Sequence, residues 1–253
     1  EGVREADLAL ESGVIPVEVY VCPELLEKAG GHDLRRGLQE LAANSQTRLF
    51  EVPAVVYDKM TYRGGSGGVL LVIPYAARSL DDLLPLTDQP LIAVIDGAEK
   101  PGNLGAILRT ADAVGLDALI LTGASMAGTD IHNPNVIRAS LGAYFTIPVI
   151  STTRDIALRW LVGNEIKTVA TTPDARQAYT AVSYSGPTAI IMGSEATGLA
   201  SEWLDAAGIL VRIPMAGKVD SLNLSVATAL LMYEVIRQRK SLNPGSTLPG
   251  NGA

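Results

Sequence analysis

Three polar loops in this sequence follow apolar runs and carry residue types able to bind or react. The first lies in "DGAEKPGNLGAILRTADAVG", where Asn103 and Arg109 follow a Gly102-Asn103-Leu104-Gly105 turn. Backbone N–H groups at such a turn suit an anion, and a guanidinium suits a phosphate or carboxylate. Two plainer roles compete: Asn103 as a helix N-cap and Arg109 as a surface charge. Against the second, Ile107, Leu108, Ala111 and Ala113 surround Arg109 with apolar neighbours. The second loop, "IIMGSEATGL", sets Ser194 and Glu195 between Gly193 and Gly198. Glycines there allow a backbone to approach a flat ligand closely. The third, "IPMAGKVDSLNLSVATALL", collects Lys218, Asp220, Ser221 and Asn223 at the mouth of an apolar helix. Ser221 or Asn223 alone would serve as a cap; both together with Lys218 exceed that need.

Several familiar chemistries are absent. Gly97 to Gly102 has the spacing of a phosphate-binding P-loop, but Asn103 stands where lysine should be, and "GKV" lacks the following Ser or Thr. No G-x-G-x-x-G follows a strand. The only histidines, His32 and His132, are too few for a His-rich metal site or a Ser-His-Asp triad. A single cysteine, Cys22, excludes an internal disulfide framework and a cysteine-based zinc site. The expectation is a protein that works without a metal and without a histidine base.

The elements that must position these loops follow from the apolar pattern. "VEVYVC", "TRLFEV" and "VLLVIP" read as strands, with "ELLEKA" and "DLRRGLQELAA" as helices, in a small N-terminal α/β unit. "YRGGSGG" is too rich in glycine to be regular, and "LLPLTDQP" reads as a linker. From Leu91 the strands "LIAVIDG", "ALILTG", "FTIPVI", "KTVATT", "TAIIMG" and "ILVRIP" alternate with helical or loop connections. That alternation predicts a parallel sheet covered on both faces, whose ligands collect at the carboxyl ends of its strands. All three loops lie at such ends. The last helix is expected over about 223–239, followed by a Pro/Gly/Ser-rich disordered tail. The boundaries predicted are 1–83, a linker at 84–89, a second domain at 90–241 and a tail at 242–253.

Composition narrows the class. The 253 residues are 47% hydrophobic with a mean hydropathy of +0.24, yet no apolar run approaches the ~20 residues needed to cross a bilayer. A soluble cytoplasmic α/β protein, with no membrane partner, is the expectation. The net charge of −7 argues against a simple basic nucleic-acid binder. Splitting the chain does not change this: residues 1–83 hold 8 Lys+Arg against 13 Asp+Glu, and the remainder 12 against 14. An RNA partner would need a local cationic patch on an acidic surface.

In their order, the three loops resemble the motifs of the SpoU (TrmH-like) branch of the SPOUT family of RNA 2′-O-ribose methyltransferases. "PGNLGAILRTADAVG" is similar to that family's first motif, "MGSEATGL" to its second and "IPMAGKVDSLNLSVATALLMYEVIRQ" to its third. "NPNVIRASLGAYFTIPV" resembles the usual "R-A-S-x-G-A" segment between them. More loosely, the N-terminal unit resembles the small ribosomal-protein-like domain that often precedes this catalytic domain and binds its RNA substrate.

The resemblance implies a parallel α/β sheet with a C-terminal trefoil knot, S-adenosylmethionine as cofactor, RNA as substrate (rRNA in preference to tRNA), and a homodimer. It would explain the uncharged run from Leu224 to Tyr233, one side covered by the chain's own sheet and the other by a partner subunit. Residue by residue, Gly193, Ile213 and Leu222 match positions whose backbone groups hold the cofactor, with Met215, Gly217 and Leu224 beside them. Asn103, Arg109, Glu195, Ser221 and Asn223 match the family's catalytic positions. Arg138 and Lys218 are expected to meet RNA. A guanidinium makes a poor base. Arg109 is therefore read as a clamp on the target phosphate that also stabilises the developing alkoxide. The alternatives are a catalytically inactive RNA-binding protein of the same fold and a nucleotide-binding enzyme on an ordinary doubly wound sheet.

Overall fold

A computed structural model describes residues 1–62, 67–74, 77–98, 100–123, 130–219 and 221–242, with side chains up to residue 240. Most of the glycine-rich loop, Asp220 and the tail from residue 243 onward lie outside the described residues. In chain order the structure begins with α1 (Val3–Glu11), β1 (Glu18–Val21), α2 (Pro23–Lys28), α3 (His32–Asn44), β2 (Arg48–Glu51), α4 (Ala54–Met60) and β3 (Val69–Val72). Next come β4 (Leu91–Asp96), α5 (Pro101–Val114), β5 (Ala118–Thr122), α6 (Pro134–Ala139), α7 (Ala143–Thr146), β6 (Val149–Ser151) and α8 (Arg154–Gly163). The chain continues with β7 (Lys167–Thr171), β8 (Gln177–Ala178), β9 (Thr188–Met192), α9 (Ser201–Ala206), β10 (Ile209–Arg212) and α10 (Leu224–Leu242).

These elements form two compact units: Glu1–Ala77 with His132–Thr146, and Arg78–Ile131 with the chain from Ile147 onward. The division differs from the single cut predicted at 84–89. Leu80 is buried in the core of the second unit, which draws residues 78–83 into it. The 132–146 segment joins the first unit, where α7 packs on α1.

In the first unit three strands lie in the order β2-β1-β3, with β2 parallel and β3 antiparallel to β1. Alternation along β1 turns Val19 and Val21 inward against Leu26, Leu34 and Leu38 of the helices, while Glu18 and Tyr20 are half-exposed.

The second unit is a seven-stranded sheet in the order β6-β5-β4-β9-β7-β10-β8, parallel at every pairing. Every residue of β4, β5 and β9 is buried. This is why they read as unbroken apolar runs: a parallel sheet is covered on both faces. Ile92, Val94, Ala118, Ile120, Ala189 and Ile191 pack with Ala157 and Leu161 of α8 and Trp203 of α9. Their alternates Ala93, Ile95, Leu119 and Ile190 are equally buried, on the side taken by α5 and α10, which pack on each other. "FTIPVI" is a strand only from Val149, because α7 runs to Thr146 and Pro148 has no N–H to donate to a ladder.

Arg239 and Gln238 anchor the far end of α10; Gln238 bonds Val182 and Tyr184. Arg239 donates to the carbonyls of Gln89 (2.8 Å), Gly186 (2.8 Å), Pro90 (3.4 Å) and Tyr184 (3.4 Å), tying the helix to the segments that lead into β4 and β9. Arg239→Ala would leave these carbonyls without that donor. It should cost about 2–4 kcal/mol. Lys240→Ala, on the exposed side of the same turn, should stay within about 0.5 kcal/mol. Thermal melts of the two variants check this; equal melting temperatures would mean the clamp carries no weight.

Candidate active site

In a parallel sheet the crevice for a ligand opens where strand order reverses direction. Here the chain winds outward from β4 through β5 to β6, then returns to the other side of β4, where β9 pairs with it. The loops after β4 and β9 meet at this point.

Glu195, in the loop after β9, is the hub. Its Oε1 accepts from Asn103 Nδ2 (2.9 Å), Asn223 Nδ2 (3.0 Å) and the Leu224 backbone N–H (3.2 Å). Its Oε2 accepts from the Lys100 ammonium. Asn223 Nδ2 also donates to Asn103 Oδ1 at 2.9 Å. One carboxylate thus joins α5, the β9 loop and the start of α10. Four donors converge on this carboxylate, three of them on Oε1.

The local backbone explains why these side chains reach the hub. Helix α5 begins at Pro101 with Lys100 as its N-cap, so Asn103 is not the cap, and its amide is free to bridge Glu195 and Asn223. Proline suits the first helical position because it needs no hydrogen-bond partner there. Asn223, rather than Ser221, caps α10: its Oδ1 accepts from the Ser225 N–H (3.0 Å) and Oγ (2.6 Å). Capping and network formation use opposite ends of the same amide. The glycines are needed for space. A Cβ on Gly193 would lie 2.2–2.4 Å from backbone atoms of Gly198 and Leu199. The loop closes on itself there through paired Ser194 and Gly198 backbone bonds of 3.1 and 3.0 Å.

The Lys100 ammonium, the Leu224 N–H and the Asn103 amide hold the Glu195 carboxyl below its ordinary value. Glu195 is therefore held as an ionised carboxylate, a weak base, that ties the three loops together. A lowered native pKa gives a contribution to stability that is complete above the unfolded-state value of about 4.3. It is lost as pH falls through the native value. Glu195→Gln should therefore melt below wild type at pH 7, and the gap should close as the pH drops below about 4. A gap independent of pH between 3 and 7 would show that the charge is not what anchors the loops.

The other expected residues are placed as follows. Arg109 is exposed on α5, six residues beyond Asn103, which is about 9 Å along the axis, and makes no ion pair or hydrogen bond to a described residue. Ser221 and Lys218 are likewise exposed without such partners. Ile213 and Leu222 are half-buried, Met215 and Gly217 exposed and Leu224 buried. Arg138 belongs to the first unit, where it meets Glu1 (3.4 Å) and Asn135 (3.0 Å) and lies over the Tyr62 ring. Lys100 was not among the expected residues; the signal available was its place directly before Pro101 in "KPGN". Among the described residues, no cluster of three His, Cys, Asp or Glu side chains could hold a metal ion, and no helix is long and apolar enough to cross a membrane.

Comparison with known proteins identifies the family. Residues 90–233 match the SpoU rRNA methylase family. The 23S rRNA (guanosine-2′-O-)-methyltransferase RlmB of Burkholderia sp. is 35% identical over 210 residues, covering 81% of this chain and 83% of that protein. A solved RNA 2′-O ribose methyltransferase superposes with a TM-score of 0.74 at 38% identity, covering 94% of this chain and 87% of the other. The AdoMet-bound rRNA methyltransferase of Sinorhizobium meliloti superposes with a TM-score of 0.84 at 29% identity, covering 94% and 85%. By its sequence match over 90–233 and its relatives across most of its length, this chain belongs to the SpoU rRNA methylase family.

Proposed function

We propose that this protein transfers a methyl group from S-adenosylmethionine to a ribose 2′-hydroxyl of ribosomal RNA, in the cytoplasm. The observation that carries the reading is the Glu195 network, which ties together the three loops that match the family's motifs. The rRNA substrate follows from the Burkholderia relative, whose name specifies 23S rRNA.

The cofactor is S-adenosylmethionine, and the loops fit it. The backbone of Met215 to Val219 makes no hydrogen bond to a described residue, leaving donors and acceptors for an adenine edge. Met215 and Val219 expose apolar surface beside them. Gly193, Ile213, Met215, Gly217, Leu222 and Leu224 would hold the cofactor, largely by main-chain groups. When bound, its sulfonium makes the methyl group an electrophile. The protein's work is to hold the attacking oxygen in line and to ease loss of the hydroxyl proton. The exposed Arg109 guanidinium suits both tasks, gripping the target phosphate at two points and stabilising the alkoxide as it forms. Lys218 and Arg138 add cationic contacts to RNA. Glu195, Asn103 and Asn223 position the loops; the hydroxyl proton passes to phosphate, water or the exposed Ser221.

The reading includes a trefoil knot, with the chain from β10 to α10 passing through an earlier loop, and a small N-terminal domain that binds RNA. It also includes a homodimer. Val226, Leu230 and Tyr233 form an exposed apolar stripe on α10 at i, i+4 and i+7. With Ala106, Thr110 and Ala229 they line a groove of about 420 Å³. Among the described residues this is the exposed apolar face of α10: Leu231, Met232 and Val235 are buried, and Glu234 is also buried, paired with Arg237 and Gln238. Leu230→Arg should therefore yield monomers by light scattering. Leu231→Arg would disrupt the core and test nothing about assembly. An unchanged dimer in Leu230→Arg would move the interface elsewhere. The function itself is tested by titrating S-adenosylmethionine into the protein in EDTA; no heat from a folded preparation would count against it.

A further inference from the structure

We infer that the buried Asp96 and the half-exposed Arg154 form a positioning pair that fixes the far end of the cofactor loop, 193–199. Glu195 anchors the near end of that loop. The far end runs past Ala200 into α9, and Ala200 donates its N–H to Asp96 Oδ2 at 3.4 Å. Asp96 is 2% exposed at the end of β4. Its Oδ1 accepts from Thr122 Oγ1 (2.8 Å), at the end of β5, and from Arg154 Nε (2.8 Å), at the start of α8. Arg154 Nη1 also lies 3.7 Å from Glu202 Oε1, two residues past Ala200. The guanidinium therefore meets both Asp96, which accepts from the Ala200 N–H, and Glu202 in the first turn of α9.

The surroundings are shaped for this pair. A Cβ on Gly123, whose φ is +65°, would fall 2.5 Å from Asp96 Oδ1 and 2.7 Å from Arg154 Nη2. A Cβ on Gly97, whose φ is +76°, would fall 3.3 Å from the Cβ of Ser194 in the same loop. Only glycine fits comfortably at either place. Burying a carboxylate costs desolvation that its partner rarely returns in full, so net stability is a weak reason for the pair. Fixing a loop whose backbone must meet a ligand within a fraction of an ångström is a stronger one.

The inference rests on the cofactor reading of the 193–199 loop, and the test separates the two. S-adenosylmethionine is titrated calorimetrically into wild type, Asp96→Asn, Arg154→Lys and the double variant, with methyl-transfer kinetics and thermal melts alongside. Arg154→Lys keeps a charge beside Asp96 in a half-exposed position and so keeps the protein folded. Each single variant should weaken cofactor binding and raise KM for the cofactor by about tenfold. At saturating cofactor, kcat should stay within about twofold, since binding and chemistry separate this way when only uniform binding is lost. The double variant should be no worse than Asp96→Asn alone, because paired groups are non-additive. Arg159→Gln, on the exposed side of α8, serves as the control and should bind as wild type. Lower melting temperatures with unchanged cofactor affinity would overturn the inference and leave the pair purely structural. A wild-type protein that binds no S-adenosylmethionine would overturn the cofactor reading and this inference with it.

Discussion

Arg109→Ala should bind S-adenosylmethionine as tightly as wild type and transfer methyl groups about 10²–10³ times more slowly. The reasoning starts from placement. Ile107, Leu108 and Ala111 turn into the core, while Arg109 projects from the opposite side of α5 without a partner among the described residues. An exposed arginine with nothing to hold contributes little to the fold, and its removal should cost within about 0.5 kcal/mol. It lies on the helix that carries Asn103, so its place relative to the reacting groups is set by the Glu195 network. A guanidinium can meet a phosphate at two points. Arg109→Lys should recover little, because an ammonium cannot reproduce a planar two-point contact. Calorimetry should read unchanged affinity while tritiated methyl incorporation falls. Wild-type turnover in a folded Arg109→Ala protein would return this residue to the status of a surface charge.

Gly193→Ala should weaken cofactor binding by roughly 5- to 150-fold, the equivalent of about 1–3 kcal/mol of overpacking. The clash is with backbone. The new methyl would sit 2.2 Å from the Gly198 carbonyl carbon and 2.3 Å from the Leu199 nitrogen, so no rotamer change relieves it. The loop must open, which displaces the main-chain groups proposed above to hold the cofactor. Gly198→Ala makes an informative contrast. Its Cβ would meet nothing within 4 Å, but its φ is +70°. The cost there is conformational, roughly 1–2 kcal/mol, and falls on folding more than on the shape of the loop. Calorimetry should therefore separate the two variants more than melting temperatures do. Equal cofactor affinity in Gly193→Ala and wild type would show that the ligand does not touch this loop.

The parallel sheet was legible in the sequence because β4, β5 and β9 are buried on both faces, and burial on both faces writes an unbroken apolar run. Asn103, Glu195 and Asn223, about 90 and 120 residues apart, could be grouped only through the family resemblance; no local pattern announces that one carboxylate will collect them. Lys100 was missed because a lysine before a proline looks like solvent-facing charge. Its pairing depends on a loop 95 residues away. Asp96 and Arg154 escaped for the same reason. Helix α4 went unread because Val55, Val56 and Tyr57 are strand-favouring types, and the helix is short. The 132–146 segment has the sequence of the family's central region, yet packs within the first unit. Composition carries no trace of such a preference.

The central claim is methyl transfer to ribose in ribosomal RNA. Mapping 2′-O-methyl groups on cellular RNA with and without this protein tests it most directly. The account predicts at least one ribosomal RNA 2′-hydroxyl that is methylated only when the protein is present, and that loses its mark with Arg109→Ala. An identical map with and without the protein, or a new methyl group on a base and not on a ribose, would contradict it.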